Sequence, residues 1–181
     1  MGADTLQWLS VLELDKNNVV IPNSSNLKAL NQLLPEIKLF ADLHPEYKIT
    51  LLGYPEWQTY TNNHLEEFYR FNTYAYSSFY RNPLSITCQT FETAYQKEFA
   101  ELTINSFPQF GMFGFDIAYY FLKGISLYSD GIEQYHSANI SHPYQHWFNF
   151  QRISNWSGFV NKGVQLIHYS PNYNIELIRL K

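Results

Sequence analysis

The chain has 181 residues and a mass of 21.4 kDa, the span of one ordinary domain, so two large enzymatic domains are excluded. Its 12 Lys and Arg against 16 Asp and Glu leave a net charge of −4, which speaks against a cationic surface for nucleic acid or acidic lipid. The surplus is aromatic: 14 Phe, 15 Tyr and 4 Trp, 33 rings in all, while charged residues make 15% against an average of about 25%. Such rings fill a core, line a ligand cleft or cover a protein interface, and composition leaves all three open.

The N-terminal residues lack a basic start followed by an apolar stretch, so no secretory signal peptide is expected in this chain. No apolar run reaches the ~18 residues of a membrane span, the longest being interrupted by Asp116 and Lys123, and the expectation is a soluble chain without a span. The single Cys88 excludes an internal disulfide and any multi-Cys zinc site.

In chain order, Leu6, Leu9 and Leu12 follow helical spacing and predict a first helix ending before Asn17. The β-branched run over residues 19–21, stopped by Pro22, predicts a buried strand. Asn23, Ser24 and Ser25 offer caps for a helix carrying Leu27, Leu30, Leu34 and Ile37, with a kink or restart at Pro35. Residues 48–52 predict a second strand, and a helix opening at Glu56 aligns Trp57, Tyr60, His64 or Leu65, and Phe68 as one aromatic face. Strict alternation over residues 73–80 predicts a third strand, with Tyr74, Tyr76, Ser78 and Tyr80 on one face.

A helix after Pro83 carries Phe91, Tyr95, Phe99 and Leu102, and an apolar helix after Gly111 and Gly114 carries Phe113, Ile117, Tyr120 and Phe121. Residues 129–147, rich in His, Ser, Asn and Tyr, read as an irregular surface loop. Two strand-like runs joined by Ser170, Pro171, Asn172 and Tyr173 predict a C-terminal hairpin. Alternating strands and helices argue for an α/β fold, a three-layer Rossmann-like lobe with a mainly parallel sheet and helices on both faces, as a single lobe over residues 1–181.

The segments NNVVIPNSS, ITLLGYPEWQTY, NTYAYSSFY, FGMFGFDIAYYFLKGI and FNFQRISNWSGFVNKGVQLIHY resemble the C-terminal portion of type I periplasmic-binding-protein-like domains, in the version attached to LysM repeats in bacterial envelope proteins. The resemblance implies a non-catalytic clamp of two Rossmann-like lobes that closes on a small ligand, an amino acid, a peptide or a cell-wall fragment, in the periplasm or cell envelope. It also implies a first lobe preceding this region, so that another copy or a missing N-terminal lobe supplies the second wall. Carried onto this chain, the ligand-binding positions are Ser24, Ser25, Tyr54, Trp57, Tyr80 and Asp116.

Four of these have a plainer role beside the ligand-binding one. Ser24 and Ser25 donate hydroxyls to a carboxylate or phosphate, or cap their helix. Tyr54 and Trp57 stack on a ligand, or Trp57 packs in the core. Asp116 meets a ligand, or caps its own helix. His136, His142 and His146 share one loop, but no Cys joins them and no metal or cofactor is expected. Cys88 sits beside a helix face without a nucleophile signature and reads as a small buried residue, so no catalytic residue is expected. The alternative function is an interaction or scaffold module with a decayed cleft that assembles as a homo-oligomer.

Overall fold

The computed structural model describes residues 5–104, 106–128 and 144–180. In chain order the elements are helix α1 (Thr5–Val11), strand β1 (Asn17–Val20), helix α2 (Leu27–Leu43), strand β2 (Lys48–Gly53), a 3-10 turn (Pro55–Thr59), helix α3 (Thr61–Arg70) and strand β3 (Thr73–Ser77). Helices α4 (Ile86–Phe99) and α5 (Phe110–Leu127) follow, then strands β4 (Phe150–Arg152), β5 (Phe159–Asn161), β6 (Gln165–Ser170) and β7 (Asn174–Arg179). The chain divides into two compact units, Met1–Ser77 with Leu166–Ile178, and Ser78–Gln165 with Arg179–Lys181. The division follows from the path: the chain leaves its sheet after β3 and rejoins it only at β6.

The first unit is α/β, built on a mixed five-stranded sheet in the order β1-β2-β3-β6-β7. β1 pairs parallel with β2, Asn17 opposite Lys48, and β2 pairs parallel with β3, Leu52 opposite Tyr74. Each parallel pair is joined through a helical crossover, as such pairing requires. Only residues 171–173 separate the neighbouring β6 and β7, too short a link for anything but an antiparallel hairpin. Its turn closes with the Tyr173 N–H on the Ser170 carbonyl at 2.9 Å, and Tyr173 takes the left-handed conformation at φ 59.

Leu30, Leu34, Ile37 and Phe40, spaced by three and four, bury one stripe of α2. The helix does not restart at Pro35 but runs on through it. A proline inside a helix costs about 3 kcal/mol, and four buried side chains at about 1.5–3 kcal/mol each outweigh it. The cap is Asn26, whose side chain accepts from the Ala29 N–H at 2.8 Å, and not Asn23, Ser24 or Ser25. β1 also departs from expectation: it begins at Asn17, lies at the sheet edge, and leaves Val19 and Ile21 exposed. The Asn18 side chain draws the start forward by donating to the carbonyls of Lys48 and Glu13, at 3.0 and 2.9 Å.

The single helix expected from Glu56 to Phe68 is broken in two. A 3-10 turn ends at Thr59, and α3 carries a non-helical His64 at φ −133. The break lets Trp57 lie flat on Phe68, centroids 5.4 Å apart and planes within 3°. The third strand stops at Ser77, short of Tyr80. Its alternation holds, with Thr73, Ala75 and Ser77 buried and Tyr76 exposed.

In the second unit, Ser85 caps α4 by accepting from the Cys88 N–H at 3.2 Å. α5 starts at Phe110, so Gly111 and Gly114 lie within it instead of preceding it. β4 and β5 form an antiparallel pair, with Gln151 opposite Val160. Of the expected surface loop, residues 129–143, with His136 and His142, lie outside the described residues. Gln145 and His146 are buried, contrary to a solvated loop, because this stretch pairs with residues 78–80: Tyr80 N–H donates to Gln145 O at 2.8 Å and Trp147 N–H to Ser78 O at 3.0 Å.

Candidate functional site

The six positions are divided between the two units. Ser24, Ser25, Tyr54 and Trp57 belong to the first unit, and Tyr80 and Asp116 to the second.

In the first unit, β1 and β2 run parallel and end side by side, so the loops that follow them emerge at one edge of the sheet. Tyr54, immediately after β2, ties these loops by donating its phenol to the Pro22 carbonyl at 2.7 Å. Its ring meets Tyr76 of β3 edge-on at 6.2 Å, and Tyr76 is exposed, a position that residue spacing placed on a face without marking it as a site. Ser24 and Ser25 are half-buried between Pro22 and the start of α2. The Ser24 hydroxyl accepts weakly, at 3.4 Å, from the Asn26 N–H. Two tyrosine rings and two serine hydroxyls thus gather at the carboxyl edge, beside the N-terminus of a 17-residue helix. Such an edge can stack on an apolar or ring-shaped group and hydrogen-bond a carboxylate or hydroxyl.

Trp57 does not join them. It is 0% exposed, and its indole N–H has no acceptor among the described residues. A Cβ added at Gly53 would lie 2.1 Å from the Trp57 ring, so the glycine ending β2 makes room for the indole. The ring is core and presents no surface to a ligand, a correction to the reading that placed it in a cleft wall.

At the amino edge of the same sheet lies a hollow of about 520 Å³, lined by Asn17, Lys48, Thr50, Arg70 and Asn72 among others. One of its two cations, Arg70, answers a local need. Arg70 sits in the last turn of α3, where positive charge suits the helix dipole, and pairs with Asp42. Helix N-termini open instead at the carboxyl edge, which for an anionic or dipolar ligand makes that edge the better candidate.

In the second unit, Asp116 lies seven residues into α5 and is 3% exposed, so it caps no helix of its own. Its carboxylate accepts from three successive backbone N–H groups, Tyr144 at 2.8 Å and Gln145 and His146 both at 2.9 Å. The Gln145 side chain adds a bond to the Gln109 carbonyl at 2.8 Å. Burial raises the Asp116 carboxyl above its ordinary range, and the three amides pull back against that rise. The carboxylate organises residues 144–146, and three of its acceptor positions are taken up by these backbone N–H groups. Tyr80 is half-buried and held in the same pairing.

Next to Asp116, the His146 ring stacks on Phe113 at 4.1 Å and on Phe79 at 5.2 Å. It is 6% exposed, and burial lowers its pKa from the ordinary 6.5 to about 4. Because the folded pKa lies below the unfolded one, the neutral ring's contribution is complete above pH 6.5 and lost as pH falls from 6.5 towards 4. Urea unfolding of the wild type and His146→Phe at pH 7 and pH 4 should show the wild type alone losing, through this group, at most about 3 kcal/mol. Asp116 acts in the opposite sense on acidification and is common to both proteins.

Cys88 is buried, with its thiol 3.7 Å from the Tyr144 carbonyl. Among the described residues no three His, Cys, Asp or Glu side chains gather in a way that would hold a metal. No protein-family pattern, curated protein or solved structure matches this chain.

Proposed function

We propose that the chain is a non-catalytic ligand-binding or sensing lobe of a bacterial cell-envelope protein, similar in kind to type I periplasmic binding proteins. The observation that carries the reading is the Tyr54 to Pro22 hydrogen bond, which draws together the loops after two adjacent parallel strands. Ser24, Ser25, Tyr54 and the exposed Tyr76 then face an amino acid, a peptide or a cell-wall fragment by hydrogen bonding and ring stacking. The reading brings with it a three-layer arrangement with helices on both sheet faces, supported at β2, where the neighbouring Thr50 and Leu51 are both buried.

A thermal-shift screen of amino acids, muropeptides and sugars tests it. A ligand at a hundred times its Kd adds about 2.7 kcal/mol to the native state, and Tyr76→Ala should abolish that gain while leaving the unliganded protein folded. A screen without any stabiliser counts against the reading. The second reading, an interaction module, is favoured by one observation, the uncovered apolar face of α5.

A further inference from the structure

α5 has two sides of different fate. Met112, Asp116, Tyr120 and Gly124, four residues apart, form its buried stripe. The opposite side carries Phe110, Phe115, Phe121, Leu122 and Ile125, with Tyr119 at its margin, all six exposed, Phe110 at 65% and Leu122 at 67%. By helical spacing, Gly111, Gly114 and Ala118 lie among these large residues; Asp116 is on the buried stripe, and the Lys123 ammonium lies 5.5 Å from the centre of the Tyr119 ring, at the margin of this side. A helix apolar all round belongs in an interior. No helix among the described residues is long and apolar enough to cross a membrane.

The glycines point the same way independently. A Cβ added at Gly111 or Gly114 would meet nothing within 4 Å, so neither is needed for packing within the fold. Glycine disfavours a helix more than any residue but proline, and here the described structure offers no compensation. A strip of small residues is what lets a second helix approach closely.

From these we infer that the α5 face is the interface with a second copy of this chain, the two helices crossing about a two-fold axis. This deepens the interaction-module reading by naming its surface and partner. Ridge and groove lie on the same face: Phe115 and Leu122 of one copy fit the Gly111, Gly114 and Ala118 strip of the other. That is the self-complementarity a two-fold contact requires. At ~150–250 Å² for one large side chain, the six exposed residues offer roughly 600 Å², most of the ~800 Å² that each partner gives to a standard interface. Lys123 lies at the margin of the face, against Tyr119, and not among Phe115, Leu122 and the small residues.

Sedimentation of the full chain from roughly 1 to 100 µM should show a reversible monomer–dimer equilibrium. Leu122→Glu should shift it to monomer with an unchanged circular dichroism spectrum. Gly114→Gln has open space in the fold and fills only the groove, so it should weaken the dimer at least tenfold without loss of thermal stability. A wild type that stays monomeric throughout, a dimer whose affinity neither substitution alters, or a mass that grows without a plateau at two copies would each overturn the proposal. Ligand binding by a monomer would remove this inference and leave the ligand reading intact.

Discussion

Asp116→Ala should destabilise the protein by about 4 kcal/mol, because it leaves three buried N–H groups without an acceptor at about 1–3 kcal/mol each. The cost is specific to the acceptor. Asp116→Asn keeps one carbonyl oxygen but turns an amide donor towards the donors of residues 144–146, so it should fall between wild type and Ala. Urea unfolding followed by tryptophan fluorescence measures both. The ligand-contact role of Asp116 makes the opposite forecast, stability nearly unchanged and ligand affinity lost, so one pair of measurements separates the two.

Gly53→Ala should cost about 3 kcal/mol, the upper part of the range for overpacking a core. The added methyl would lie 2.1–2.5 Å from three atoms of the Trp57 ring, and that ring is held flat against Phe68. Trp57→Ala removes the obstacle together with a fully buried indole and should cost about 3–5 kcal/mol. The two effects are coupled. In Gly53→Ala with Trp57→Leu, the clash is gone, so the double variant should be more stable than the sum of the single losses by about 1–3 kcal/mol. Strict additivity in the unfolding midpoints would show that the glycine is not there for the indole.

These two sites also mark where the sequence was legible. The strand–helix alternation of the first unit could be read from periodicity, because the α2 stripe of Leu30, Leu34 and Ile37 and the alternation from Thr73 to Ser77 each record burial on one face. The hairpin could be read from the Pro171-Asn172 turn chemistry. Helix interruption could not: Trp57 and Phe68 fit one helical face as well as two, and only their flat stacking requires the break. The sequence singles out Asp116 as a ligand contact or a cap of its own helix, and not as the acceptor for residues 144–146. Its three partners lie 28 to 30 residues away, a distance across which spacing carries no information.

The sequence places His146 in a polar surface loop, while its surroundings are Phe79 and Phe113, rings remote in sequence that fold around it. Tyr76 went unmarked as a site because its alternation signals only a face. The loop after β2 sets Tyr54 between Pro22, which it hydrogen-bonds, and Tyr76, which its ring meets. The aromatic surplus is thus divided: Trp57 and Phe68 fill a core, Phe79 and Phe113 enclose a histidine, Tyr54 and Tyr76 stand at a strand edge, and the rings of α5 face outward.

The claim that ligand recognition belongs to the carboxyl edge of the first unit is tested most directly by mapping amide shifts of the 15N-labelled chain as a stabilising amino acid, muropeptide or sugar is added. Shifts concentrated at Ser24, Ser25, Tyr54 and Tyr76, with Trp57 and Asp116 little changed, are the predicted result. Shifts confined to Asn17, Lys48, Arg70 and Asn72 at the opposite edge would contradict it.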